Sequence, residues 1–146
     1  MGEMSGGCQC GRVRYAAQVA DGEAYLCHCR MCQRATGGVS VAFKNLAKAD
    51  MRWDGEPDWY ASSPVAKRAF CRECGTPLGF AFNESERMDV TVGSFDDPSL
   101  FYPTATVGIE SKHPAWEDTS HLPGQKVTEI ASVQQRWAAA GLAVPE

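Results

Sequence analysis

Cys27-His28-Cys29-Arg30-Met31-Cys32 places three thiols within six residues. A C-x-C-x-x-C run brings its sulfurs onto one tight turn, and thiols so close in the chain rarely reach the Cα separation and dihedral of a disulfide. The spacing suits a metal ion instead. The other four of the seven cysteines form two close pairs, Cys8-x-Cys10 and Cys71-x-x-Cys74. Seven thiols then divide as four and three. Four complete a closed tetrahedral zinc site, whereas three protein ligands with one exchangeable position are the pattern of a catalytic zinc. Cys27, Cys29 and Cys32 are therefore the candidate catalytic set, and Cys8, Cys10, Cys71 and Cys74 the candidate structural set. Two zinc ions per chain are expected.

The pairs at Cys8 and Cys71 lie far apart, so an ion shared between them closes most of the chain into a loop. Its binding energy becomes folding energy. Glycines beside both pairs, Gly6-Gly7 and Gly11 in one and Gly75 in the other, let the backbone bend around an ion. The three-cysteine run has a second reading, a further structural zinc completed by histidine. His28 is a poor ligand there, because it sits between two others and three consecutive chelating side chains strain the turn. His113 and His121 are distant enough to reach back. The open site is preferred, since an exchangeable position lets a metal lower the pKa of a bound water or thiol. Along the flank of this run, Arg30, Gln33, Arg34 and Thr36 are candidates for substrate contact, with arginine suited to a carboxylate. A solvated face is the plain alternative for each.

Composition narrows the class. A chain of 146 residues, 44% hydrophobic and 22% charged, is expected to form one domain over 1–146 with a real core. No apolar run approaches the ~20 residues needed to cross a membrane, so no membrane partner is expected. Residues 1–7 lack the basic start and apolar centre of a secretory signal, which makes the expectation cytoplasmic. In that compartment seven cysteines point to metal. The formal charge is −4, and metal thiolates make it more negative, so no nucleic-acid footprint exists.

Period-2 alternation at Val13, Tyr15 and Ala17 marks a half-buried strand. Further short strands are expected at 24–26, 39–43, 49–53, 59–61, 65–70, 78–82, 88–92 and 104–110, with a helical turn at 30–35 closed by Thr36-Gly37-Gly38. Residues 111–124 read as loop and 127–142 as a helix with Ile130, Val133, Gln134 and Trp137 on one face. Many short strands at spacings of about 8–12 residues with one terminal helix predict a mainly β domain. Trp53, Trp59, Tyr60, Phe70, Phe80, Phe82 and Trp116 are expected to pack in the core or on sheet faces.

Gly7-Cys8-Gln9-Cys10-Gly11, Cys27-His28-Cys29-Arg30-Met31-Cys32 and Phe70-Cys71-Arg72-Glu73-Cys74-Gly75-Thr76 together resemble the glutathione-dependent formaldehyde-activating family, which includes centromere-protein-V-like proteins. The stretches Trp53–Tyr60 with Ser62-Ser63, and Glu110–Trp116, are similar too, so the resemblance covers about 6–124. It implies an Mss4-like, zinc-stabilised fold of short antiparallel strands with two zinc ions. Cys8, Cys10, Cys71 and Cys74 would hold the structural ion, and Cys27, Cys29 and Cys32 the catalytic one. The implied activity is a carbon–sulfur lyase of the S-(hydroxymethyl)glutathione synthase type, with a glutathione-like thiol and an aldehyde as small-molecule partners. Two alternatives stand beside it: a thiol carrier without turnover, and a zinc-stabilised interaction module.

Overall fold

Tyr15, Ala17 and Val19 turn inward along β2 (Arg14–Val19) while Arg14, Ala16 and Gln18 turn outward, as the alternation predicts. β2 is the centre of a small antiparallel sheet, flanked by β1 (Gly2–Gly7) and β5 (Met51–Asp54). In the computed structural model, which describes residues 1–145, a seven-stranded sheet faces it. Its strands are β3 (Glu23–Cys27), β4 (Val41–Ala47), β6 (Asp58–Ser63), β7 (Ala66–Phe70), β8 (Pro77–Phe82), β9 (Arg87–Thr91) and β10 (Tyr102–Val107), in the spatial order β10-β3-β4-β9-β8-β7-β6. All neighbours are antiparallel except β10 and β3. The long connection from β9 to β10, through 3₁₀ turns at Val92–Ser94 and Pro98–Leu100, gives the chain room for that parallel pairing.

Successive residues of a strand face opposite sides of its sheet, and the large sheet thereby serves two separate clusters. Leu46, Met88 and Val90 join Val13, Tyr15, Leu78 and Phe95 in the main core. Tyr15 meets Trp53 and Phe95 edge-on, with centroids 5.5 and 5.4 Å away, and its hydroxyl bonds Ser94 Oγ at 2.8 Å. Each fully buried aliphatic side chain contributes about 1.5–3 kcal/mol. Phe43, three residues before Leu46, belongs to a second cluster with Cys27 and Cys32, against which Tyr25, Val41 and Phe80 pack. That cluster is the floor of the three-cysteine site.

This first unit runs from Met1 to His113, and a second begins at Pro114. The second contains 3₁₀ turns at Pro114–Trp116 and Val127–Glu129 and a helix at Ala131–Ala139. The helix is shorter than the expected 127–142 because Ile130 is extended (φ −79°, ψ 109°). Three other expectations are corrected. β1 went unforeseen, being too rich in glycine to show alternation. The strand expected at 39–43 starts at Val41 and runs on to Ala47. Tyr60 and Trp116 are exposed rather than packed, while Phe82, though exposed, meets Phe80 edge-on with centroids 5.1 Å apart; Tyr60 lies on edge strand β6, which has one neighbouring strand. No helix among the described residues is long and apolar enough to cross a membrane.

Candidate metal centres

The first centre is built from two knuckles. After β1 the loop closes through Cys8 N–H to Val13 O at 2.9 Å and Gly11 N–H to Cys8 O at 3.1 Å. Between β7 and β8 a second loop closes through Cys71 N–H to Thr76 O at 3.0 Å and Gly75 N–H to Cys71 O at 2.7 Å. Gly75 has φ 78°, the left-handed conformation that glycine adopts without strain. Gln9 N–H donates to Thr76 Oγ1 at 3.1 Å and joins the knuckles. The sulfurs of Cys8, Cys10, Cys71 and Cys74 then lie within 4.8 Å of one another.

Those sulfurs fit a metal better than a disulfide. Cys8 and Cys10 Sγ are 3.6 Å apart, and Cys10 and Cys71 Sγ 3.8 Å. A bond would require about 2.05 Å, whereas a tetrahedron with Zn–S bonds of about 2.3 Å has edges of about 3.8 Å. Backbone and side-chain donors point at the sulfurs: Val13 N–H reaches Cys8 at 3.3 Å and Arg12 Nε reaches Cys71 at 3.4 Å. The Arg12 guanidinium is itself paired with Asp58, which also accepts Arg72 N–H at 2.9 Å. Thr76, whose hydroxyl is 3.2 Å from Cys74 Sγ, holds that thiol down to about 5. At Cys71 and Cys74 such donors favour the thiolate, the form a metal binds. Arg12, Asp58 and Thr76 were not singled out from sequence; a residue near one knuckle in space declares nothing in the pattern.

The second centre is local. β3 delivers Cys27, and Cys29 caps α1 (Arg30–Thr36), its Sγ accepting Cys32 N–H at 3.4 Å. One helical turn thereby brings Cys32 back over Cys29, and the three sulfurs lie within 4.8 Å of one another. Burial pushes the Cys27 thiol up to about 12, so without a metal Cys27 would hold its proton. A cation is the natural replacement for it. Neither His28 nor His113 joins the sulfurs; His28 is buried, with its Nε2 unpartnered among the described residues. His121 belongs to the second unit.

Two features fix the turn against β10. His28 N–H donates to Val107 O at 2.9 Å, and Gly108 passes so close that a Cβ there would lie 2.6 Å from Cys29 N. Gln33, buried, donates through Nε2 to His28 O at 2.7 Å and to Ser111 O at 3.0 Å, while Arg30 bonds Gln33 Oε1. Arg30 and Gln33 therefore brace the turn. Arg34 and Thr36 instead line a cleft of about 590 Å³ beside it, shared with Met31, Phe43, Tyr60 and Arg68. Arg68, from β7, is buried, lies over the Phe80 ring at 5.0 Å, and donates from Nη2 to Cys32 Sγ at 3.4 Å. Its place was hidden in the sequence because sheet register, rather than chain proximity, brings it to Cys32.

Comparison with known proteins agrees with this architecture. A family model described as "Glutathione-dependent formaldehyde-activating enzyme" matches residues 3–111. An uncharacterized lyase of Schizosaccharomyces pombe is 31% identical over 86 residues, covering 59% of this chain and 63% of the relative. The chain thus spans less than two thirds of that relative's length. A crystal structure of a Rhodobacter sphaeroides protein shares the fold, with a TM-score of 0.56 at 24% identity over 70% of this chain and 99% of the other.

Proposed function

The chain belongs to the glutathione-dependent formaldehyde-activating enzyme family, and we propose that it is a zinc-dependent carbon–sulfur lyase or synthase acting on the adduct of a small thiol and an aldehyde. The observation that carries this reading is the set of three sulfurs, Cys27, Cys29 and Cys32, gathered beside an open cleft. In the synthetic direction a C–S bond forms, the thiol loses its proton, and the former carbonyl oxygen gains one; the lyase direction reverses each change. No electrons are exchanged with a cofactor.

Zinc at this set would be held by Cys27, Cys29 and Cys32 and would act as a Lewis acid that lowers the pKa of a thiol. The chain's own residues do the rest. The bonds from Gln33 to the backbone of His28 and Ser111 hold the sulfur-bearing turn in one conformation. Phe43, Phe80 and Tyr25 exclude water from its inner side. Arg68 donates from Nη2 to Cys32 Sγ and so orients that sulfur within the set. At the other centre, Cys8, Cys10, Cys71 and Cys74 would hold a structural ion joining the chain's two knuckles.

The test is the rate at which purified, zinc-loaded protein consumes formaldehyde and glutathione, measured against the uncatalysed reaction. Saturable turnover above that background, lost in Cys29→Ser, is expected. Saturable binding without turnover would identify a thiol carrier, and neither would leave an interaction module.

A further inference from the structure

A buried guanidinium needs partners, because removing a charge from water is costly unless it is paired. Arg68 is 9% exposed. Among the described residues its guanidinium donates to one acceptor, Cys32 Sγ, and no carboxylate pairs with it. An arginine carries five N–H donors, so most of this fork is free, and Arg68 lines the cleft beside the three-sulfur set. Arg34, from α1, is a second cation lining the same cleft, and no aspartate or glutamate lines it. In a chain of 18 acidic and 14 basic side chains that is a local reversal of charge. Hydroxyls of Thr36, Tyr60 and Ser62 add neutral polar groups. The contrast with the other large cleft is direct: there Asp21, Glu23 and Asp50 offset Lys44 and Arg87.

We propose that this cleft is an anion-receiving subsite in which Arg68, with Arg34, takes the carboxylate of a small organic acid through the N–H donors that Cys32 leaves free. The guanidinium fork matches a carboxylate in two parallel hydrogen bonds. Phe80, stacked on one face, holds the fork in place while its edge stays available. A volume of about 590 Å³ accommodates an acid of peptide size. The proposal deepens the function proposed above and rests on it in one respect: the carboxylate belongs to the thiol that reaches Cys27, Cys29 and Cys32. Arg68 then links the subsite to the sulfur set, holding the acid with some donors and the protein's own Cys32 sulfur with another.

The experiment separates the acid from the thiol. Zinc-loaded protein is titrated calorimetrically with S-methylglutathione, which keeps both carboxylates and has no free thiol, with its dimethyl ester, and with inorganic phosphate and sulfate at matched ionic strength. The acid is expected to bind at least tenfold more tightly than the ester or either inorganic anion. Arg68→Lys, which keeps the charge and loses the fork, and Arg34→Gln, which touches no sulfur, should each weaken the acid at least tenfold with metal content unchanged. Equal binding of acid and ester, or unchanged binding in Arg34→Gln and Arg68→Lys, overturns the subsite. Phosphate or sulfate binding as tightly as the acid overturns its assignment to carboxylates. Cobalt placed at the three-sulfur set keeps the two readings apart. If S-methylglutathione binds as predicted but glutathione leaves the cobalt spectrum unchanged, the thiol-at-metal reading fails and the anion subsite stands. If thiols of any charge perturb the spectrum equally, the subsite fails alone.

Discussion

Gly108 is the residue on which the three-sulfur turn is seated. Its φ of 67° already disfavours a side chain, and a methyl would meet Cys29 N at 2.6 Å and Cys29 Cα at 3.0 Å. Gly108→Ala must therefore displace Cys29, at a cost of about 1–3 kcal/mol for the strain. The expected result is early loss of metal from the three-sulfur set on dialysis against a chelator, with the four-sulfur set retained; metal content per chain measures it. Asp96 tests a different interaction. Arg14 donates to both its oxygens at 2.9 and 2.5 Å, and with Ser5 holds its carboxyl down to about 2. An ordinary unfolded aspartate titrates near about 3.9. A depressed carboxyl stabilises the fold above the unfolded value and loses that contribution as pH falls through the folded one. Both side chains are substantially exposed, so solvent screening limits the effect to about 0.5–1 kcal/mol. The melting difference between the native chain and Asp96→Asn should be full at pH 6 and vanish near about pH 2.

At the scale of elements, the two knuckles and the capped turn carry unequal structural weight. The four-sulfur set draws one pair from the loop between β1 and β2 and the other from the loop between β7 and β8, joining the small sheet to the large one. Cys71→Ser should therefore destabilise the whole first unit, because an ion held there contributes folding energy. At about 3 °C per kcal/mol, a loss of about 4 kcal/mol lowers Tm by about 12 °C. Cys29→Ser removes a ligand from a turn that Gln33 still braces, and a shift of a few degrees at most is expected, with metal lost from that set alone. Thermal melts with equal large losses in both variants would contradict the division between structural and functional centres. Much of this level was legible in the sequence. Alternation at Val13, Tyr15 and Ala17 announced β2, and the tight spacing of the three-cysteine run and of each cysteine pair marked the thiols, because each of these depends on residues close in the chain. The union of the two distant pairs, with Cys10 and Cys71 lying 61 residues apart, was read from the division of seven thiols into four and three. β1 escaped because its glycines give no alternation; pairing with β2 is what makes it a strand. The parallel pairing of β10 with β3 was equally hidden, since register between distant strands has no local signature.

For the whole molecule, the large sheet separates the main core from the sulfur-bearing turn. One face packs Leu46, Met88 and Val90 into the main core, and the other presents Phe43, Cys27, Phe80 and Arg68 to the sulfur-bearing turn. Arg68 shows why the candidate site was legible only in part: the three-cysteine run and Arg34 are neighbours in the chain, whereas Arg68 on β7 reaches them through sheet register. The same arrangement predicts about two zinc ions per chain, with the three-sulfur set emptied first because it has fewer protein ligands. The central claim is that this set keeps a coordination position open to a substrate thiol. Cobalt substituted there reports sulfur ligation through its charge-transfer bands. Addition of glutathione should intensify those bands, less so as pH falls and protons compete for the thiol, with no response in Cys32→Ser and an undiminished one in His113→Ala. A spectrum unchanged at millimolar glutathione, with cobalt confirmed in place, would mean a closed site and contradict the account.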